Sequence, residues 1–312
     1  MAGRPKRRRV HSIGDLMMDL AQSCAVVDGV LTMKKESGWT SHDVVAKIRH
    51  LLGGVKVGHA GTLDPAATGV LPVLIGRGTR IAEYLVAWDK EYHGKGQVTP
   101  EVIQKVVGRF RGPIVQVPPM YSAVKVGGVP LYKSARAGKT IARDARAIVI
   151  HTLEVEAIQE RDVTLRIVCS KGTYVRTLCA DIGEALGVGG HMLALERRRV
   201  GPLTIDKALT VDEVVIRHAL GRLGDDLLSL DCALNQLGIV VVDEQTADHV
   251  RHGAPVPEAK ILRWEGATDG ECGSHTPVRI HDTDGCLLAI GKCTETSGGA
   301  LKVEKVLIDQ DV

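Results

Sequence analysis

The sequence is poor in aromatic side chains. Phe, Tyr and Trp together make up 3% of its 312 residues, and Phe occurs once. A core must therefore be built from Val, Leu, Ile and Ala. Cysteine is scarce and scattered, at Cys24, Cys169, Cys179, Cys232, Cys272, Cys286 and Cys293, with no C-x-x-C pair. Neither a disulfide framework nor a closed zinc site is expected from that spacing, and a reducing cytosol is the default compartment. Long apolar runs are missing too. The longest, residues 66–75, is interrupted by Thr68, Gly69 and Pro72, whereas a spanning helix needs roughly 20 predominantly apolar residues. The basic start is followed by His11, Ser12, Asp15 and Asp19, which is no apolar centre for a signal peptide. What is present is ordinary: 44% hydrophobic and 25% charged residues describe a folded globular chain, long enough for two domains.

Charge divides along the chain. Residues 1–235 carry 33 Lys/Arg against 24 Asp/Glu, and residues 236–312 carry 7 against 13. A polyanion is expected to meet the first part, unless surface charge merely scatters this way. Arg4, Lys6, Arg7, Arg8 and Arg9 sit in a stretch without apolar periodicity. Residues 1–25 therefore read as a solvated, mobile basic tail, with a specific RNA contact or address signal as the alternative.

Regular structure begins near Val26. Val30 and Leu31 fit a strand, and Gly38–Ser41 reads as a turn into a helix, with Ser41 able to accept from the open first-turn amides. Val44, Val45, Ile48, Leu51 and Leu52 form a stripe at helical spacing, ended by Gly53 and Gly54. Val163, Leu165, Ile167 and Cys169 alternate as in a strand. A helix carrying Leu178, Ile182, Ala185 and Leu186 follows. A boundary is expected near 230–238. Beyond it, β-rich stretches at 239–242, 278–281, 286–290 and 302–308 flank a short helix near 244–252, a spacing that suggests a small β-barrel or pseudobarrel.

The densest motif is Gly58-His59-Ala60-Gly61-Thr62-Leu63-Asp64-Pro65-Ala66-Ala67-Thr68-Gly69-Val70-Leu71-Pro72. Its glycines and prolines exclude a long helix. Asp64 precedes Pro65 and is held extended. A carboxylate on a stiff loop suits a nucleophile or a base. Read by itself, it could equally be an Asp that caps a turn.

This stretch resembles the signature of the TruB family of tRNA pseudouridine synthases, with Ala60 where Thr is more usual. Three further segments resemble the family in the same order: Val117–Lys125 (VPPMYSAVK), Ser170–Thr177 (SKGTYVRT) and His191–Arg198 (HMLALERR). Together they cover about residues 26–215. The resemblance implies an α+β pseudouridine synthase fold, a mixed, largely antiparallel sheet flanked by helices, in residues 26–235. It implies isomerisation of uridine in the tRNA T-loop, at position 55, with no cofactor and no metal. Asp64 would be the nucleophile, attacking ribose C1′ or uracil C6. Arg176 would pair with it, Tyr174 would line the pocket, and Tyr92 would stack on the base and take the C5 proton. Leu195 would close the pocket, and His59 would fill the place left by the flipped base. Lys125, Lys133, Arg136 and Lys139, with Arg143 and Arg146 against Asp144 alone, would give a thumb at residues 125–146 that closes on the RNA.

Residues 236–312 resemble, more weakly, a PUA domain, a small RNA-binding β-barrel; Gly285–Gly291 fits a late strand, but the net acidity departs from strong RNA binding. The expected partner is a tRNA T-arm. No membrane and no obligate protein partner are expected, and a cytoplasmic monomer is. A larger departure follows Tyr92. Some 25 to 35 residues of the family pattern are absent between Gln97 and Val98. The expectation is a loop left out of the chain rather than a lost strand pair, which would unsettle Tyr92. Two alternatives stay open: an RNA-binding protein of this fold with impaired catalysis, and a guide-dependent dyskerin-type synthase, which the thumb-like segment disfavours.

Overall fold

The computed structural model describes residues 28–97, 103, 106–160, 162–265, 276–293 and 301–308. The basic cluster of residues 4–9 lies outside them. The strands of the first part, in chain order, are β1 (Gly29–Lys35), β2 (Val57–His59), β3 (Thr68–Ile75), β4 (Lys90–Gln97) and β5 (Gly112–Gln116). After them come a small hairpin of β6 (Lys125–Val126) and β7 (Val129–Pro130), then β8 (Arg146–Gln159), β9 (Asp162–Cys169), β10 (Met192–Val200), β11 (Leu203–Thr204) and β12 (Leu227–Leu228). All but the hairpin join one sheet in the order β12-β1-β3-β10-β4-β9-β8-β5, with β2 beside β3 and β11 beside β10. The β3–β10 pair is parallel, and every other strand pair in the sheet is antiparallel. This is the expected mixed, largely antiparallel sheet.

Helices cover the sheet: α1 (Ser41–Leu51), α2 (Ala82–Val86), α3 (Leu131–Arg136), α4 (Val175–Ala185), α5 (Val211–Ala219) and α6 (Leu230–Ala233). The stripe of α1 packs as its spacing predicts. Val44, Val45 and Ile48 are buried with Leu31, Met33, Leu71 and Val73 of β1 and β3. The cap differs from the expectation by one residue. Thr40 is the N-cap, in a capping box with Asp43, and Ser41 turns inward instead. Its hydroxyl accepts from the Leu63 N–H at 2.9 Å. On β9, Val163, Leu165, Ile167 and Cys169 are buried as the alternation requires, against Leu178 and Ile182 of α4.

The polypeptide runs directly from Gln97 to Val98 within a continuous 312-residue chain. The expectation of a left-out loop is therefore corrected: the segment is absent from the protein itself. Tyr92 does not depend on it. Its strand is paired on both sides, Tyr92 opposite Arg197 of β10 and opposite Ile167 of β9. In the stretch that follows, Ile103 and residues 106–108 are helical, and Arg109 lies in a turn.

The last part holds β13 (Gly238–Val242), α7 (Glu244–Arg251), β14 (Ile261–Glu265), β15 (Pro277–His281), β16 (Leu287–Cys293) and β17 (Leu301–Val306). They form a separate five-stranded sheet, β14-β13-β15-β16-β17. A barrel closes only if its edge strands pair. Among the described residues β14 and β17 do not, so no closed barrel is seen, although Val256, ahead of β14, bridges Leu301 at the start of β17 as in a pseudobarrel. Ile290 and Leu307 leave its own core to join Val30, Leu74, Ile81 and Leu85 of the first part. Beside them, buried Arg279 and His281 both meet the Asp231 carboxylate, at 2.8 and 2.9 Å. Among the described cysteines, Cys169, Cys179, Cys232 and Cys286 are free, while Cys293 is disulfide-bonded, a bond the scattered spacing did not suggest. Among the described residues no helix is long and apolar enough to cross a membrane.

Candidate active site

A cavity of about 300 Å³ opens between the β2–β3 loop, the start of α4 and the strands β4 and β10. That is at the small end of the range for ligand pockets. Asp64, Tyr92, Tyr174, Arg176 and Leu195 all line it. They come from four places in the sequence, and the sheet order explains their meeting: β3, β10, β4 and β9 are successive neighbours.

The loop that carries Asp64 is tied at nearly every step. The Gly61 carbonyl accepts from Arg197 Nη2 at 2.8 Å. Leu63 is held through both its N–H and its carbonyl by the Ser41 hydroxyl. The Asp64 carbonyl accepts from the Ala67 N–H at 3.0 Å, and the Pro65 carbonyl accepts from the Gly38 N–H at 2.9 Å and from Lys35 Nζ at 3.1 Å. Lys35 is fully buried and also donates to the Trp39 carbonyl at 2.7 Å. Burial pushes its pKa down, and the Asp64 charge acts against that shift. A short carboxylate held this way keeps one orientation, which a reacting group requires.

Arg176, on the first turn of α4, reaches Asp64 with two nitrogens: Nε to Oδ2 at 2.8 Å and Nη2 to Oδ1 at 3.4 Å. The same Nη2 donates to the Tyr121 carbonyl at 2.8 Å. A planar fork aimed at a carboxylate fixes direction as well as charge. Both side chains keep a third or more of their surface exposed, so they can face an incoming group. Tyr174, next door, is itself fixed by a residue not expected from the sequence. Buried Gln116 of β5 accepts from the Tyr174 N–H at 2.8 Å and donates to its carbonyl at 3.2 Å.

The floor of the cavity is charged and dry. Arg197 is 1% exposed and donates to the Val70 carbonyl at 2.8 Å as well as to Gly61. Gly69 makes that arrangement possible. It sits at φ +107°, opposite Arg197 in the parallel pair, and a Cβ there would lie 2.1 Å from the Arg197 carbonyl oxygen. Tyr92 is buried beside Arg197. Burial raises the pKa of its hydroxyl, and the charge and hydrogen bond of Arg197 pull it back. Lys90, also buried, donates to the Val86 carbonyl at 2.7 Å and to the Trp88 carbonyl. Burial, with Arg197 nearby, pushes its pKa down to about 8.

The remaining expected residues lie outside the cavity lining. His59 is on β2, with Nδ1 buried and without a hydrogen-bond partner among the described residues. Burial lowers its pKa, which keeps the ring neutral. Lys125, Lys133, Arg136 and Lys139 are exposed along the β6–β7 hairpin, α3 and the turn that follows. Arg136 lies over the Tyr132 ring, 5.6 Å from its centre. Arg143 is half-buried and donates to the Pro118 carbonyl at 3.2 Å. The sequence reading missed the buried polar frame of Lys35, Lys90, Gln116, Ser122 and Arg197. A faint signal existed for one of them: Lys35 is in phase with Leu31 and Met33 on β1.

Comparison with known proteins agrees with this geometry. The TruB family pseudouridylate synthase N-terminal domain matches residues 49–102 and 94–175, and the tRNA pseudouridylate synthase B C-terminal domain matches 176–234. The N-terminal match comes in two pieces that meet beside Gln97, where the family pattern breaks. Among similar proteins, the tRNA pseudouridine synthase B of Halalkalibacterium halodurans is 38% identical over 307 residues, covering 89% of this chain and 97% of that one. Its counterpart in Ralstonia pickettii is 43% identical over 74% of this chain and 80% of that one. Among solved structures, a Cbf5–Nop10–Gar1 complex matches with a TM-score of 0.76 at 32% identity, over 95% of this chain and 88% of that one. An H/ACA RNP bound to a substrate RNA containing 2′-deoxyuridine matches at 0.74 and 30%, over 91% of this chain and 86% of that one. With a tethered carboxylate and a guanidinium fork lining one cavity, and with relatives this similar over 80–97% of their length, the chain belongs to the TruB family of pseudouridylate synthases.

Proposed function

We propose that this protein converts uridine to pseudouridine in tRNA, at T-loop position 55, without cofactor or metal. The observation that carries the reading is the Asp64–Arg176 pair, 2.8 Å from Nε to Oδ2, lining a cavity of about 300 Å³. The reaction breaks the C1′–N1 bond and forms a C1′–C5 bond. The proton on C5 leaves and N1 gains one, so nothing is oxidised or reduced. Asp64 is the nucleophile, at C1′ or at C6. Arg176 keeps it aimed while the detached ring turns. Tyr92 and Leu195 hold the ring, Tyr92 takes the C5 proton, and Tyr174 lines the pocket. His59 fills the vacated place in the RNA stack. Base flipping costs a few kcal/mol, offset by backbone contacts from Lys125, Lys133, Arg136 and Lys139 on the thumb of residues 125–146.

In this reading residues 26–235 are the catalytic domain and residues 236–312 a PUA-like module. The enzyme works in the cytoplasm as a monomer on the T-arm, without an obligate protein partner. The relatives named tRNA pseudouridine synthase B and the thumb-like segment favour stand-alone action over the guided complexes among the solved relatives. Incubation with unmodified tRNA and direct pseudouridine detection tests the proposal. Product from the wild type, none from Asp64→Asn, and similar tRNA affinity for both are expected. Normal turnover by Asp64→Asn would end it.

A further inference from the structure

Ser122 lies in the cavity wall, between the catalytic pair and the thumb. It is 6% exposed, and its hydroxyl is buried without a hydrogen-bond partner among the described residues. Both flanking peptide groups are pinned. The Tyr121 carbonyl accepts from Arg176 at 2.8 Å, and the Ser122 carbonyl accepts from the Tyr132 N–H, at the start of α3, at 3.1 Å. The backbone position is thus fixed, while no hydrogen bond among the described residues holds the hydroxyl in its present rotamer. A buried hydroxyl without a partner is a cost to the fold. Such groups persist where a partner arrives later.

We infer that the Ser122 hydroxyl is a substrate contact, turning about χ1 to bond an oxygen beside C1′ of the target nucleotide. Its neighbours decide which end of the nucleotide is meant. Through the Tyr121 carbonyl the Ser122 backbone is tied to Arg176, and through Arg176 to Asp64, the end where the glycosidic bond is broken. Of the oxygens near C1′, the ring O4′ is a weak acceptor, which leaves the ribose 2′-hydroxyl and uracil O2. Either accepts from a serine hydroxyl. A contact to O2 would hold the ring once it is cut loose from C1′, and a contact to the 2′-hydroxyl would hold the ribose that the ring must rejoin. Because α3 anchors the same residue, RNA seated on the thumb and the nucleotide seated in the cavity would steady one peptide from opposite sides.

This inference rests on the pseudouridine-forming reading, and wild-type product formation with an Asp64→Asn control tests that reading separately. The test of Ser122 uses the full chain and a T-arm stem-loop RNA in single-turnover rate, RNA affinity and thermal melting. Ser122→Ala is expected to melt at or above the wild-type temperature, since it removes an unpaired polar group. It should bind RNA about as tightly and react about tenfold or more slowly. Ser122→Thr, which keeps the hydroxyl, should recover most of the rate. A Ser122→Ala protein that reacts at the wild-type rate overturns the inference. So does one that loses rate together with melting temperature while Ser122→Thr fails to recover it, because that pattern marks a purely structural residue. Stem-loops with 2′-deoxyuridine or 2-thiouridine at the target assign the partner, which is the oxygen whose change shrinks the wild-type advantage over Ser122→Ala.

Discussion

Replacing Arg176 by lysine keeps the charge and removes the fork. Arg176 makes three contacts: 2.8 and 3.4 Å to the two oxygens of Asp64, and 2.8 Å to the Tyr121 carbonyl. An ammonium group is a point on a flexible stem. It can meet one carboxylate oxygen, but it cannot brace both and hold Tyr121 in the same geometry. One or two charge-assisted hydrogen bonds therefore disappear, at about 1.5–3 kcal/mol each when well shielded. One or two such bonds total about 1.5–6 kcal/mol unscreened; with the pair a third or more exposed, solvent screening puts the loss in the lower half, about 1.5–3 kcal/mol in all. At about 1.4 kcal/mol per factor of ten, the rate should fall by about 10- to 100-fold. The assay is single-turnover pseudouridine formation on saturating tRNA, with affinity measured in parallel. Affinity should hold, since aim suffers rather than grip. A lysine variant as fast as wild type would show that Asp64 needs no fork, and the reasoning would fail there.

Arg197→Met should cost about 2–5 kcal/mol in denaturant unfolding, because it strands the Gly61 and Val70 carbonyls in a dry site; an unchanged midpoint would contradict this. Neutralising Lys133, Arg136 and Lys139 together should flatten the dependence of log affinity on log salt, by about 0.7–0.9 for each phosphate that no longer meets a positive charge. An unaltered slope would remove the thumb from the RNA interface. Lys90 titrates lower in the folded chain, at about 8, than its ordinary 10.5. Between those values the unfolded state binds more protons, so the stability of the wild type relative to Lys90→Met should rise with pH from about 8 to 10.5. Equal pH dependence for the two proteins would show that Lys90 is not buried as described.

Much of the scaffold could be read directly. The 163–169 alternation and the α1 stripe carry strong periods, and burial follows them residue by residue. Two neighbouring hydroxyls defeated the cap assignment: Thr40 and Ser41 are equally good caps by type, and only the proximity of Leu63 decides which one turns inward. Strand β14 was not read. It is an edge strand whose residues are at most half-buried, and edges carry little periodic signal. The meeting of Asp64 with Arg176, 112 positions apart, is invisible to local pattern and came from family likeness. The charged floor was the hardest part. Lysine and arginine are read as solvated by default, whereas Lys35, Lys90 and Arg197 are spent on backbone carbonyls beneath the loop.

Ile290 and Leu307 sit among side chains of the first sheet rather than in their own. The tail-end sheet is thus sewn on along an apolar seam, not hung on a string. Cutting the polypeptide near residue 235 would leave Val30, Leu74 and Leu85 bare, and the stub should clump rather than fold. Heat should melt the whole molecule in one step instead of shedding its last quarter first.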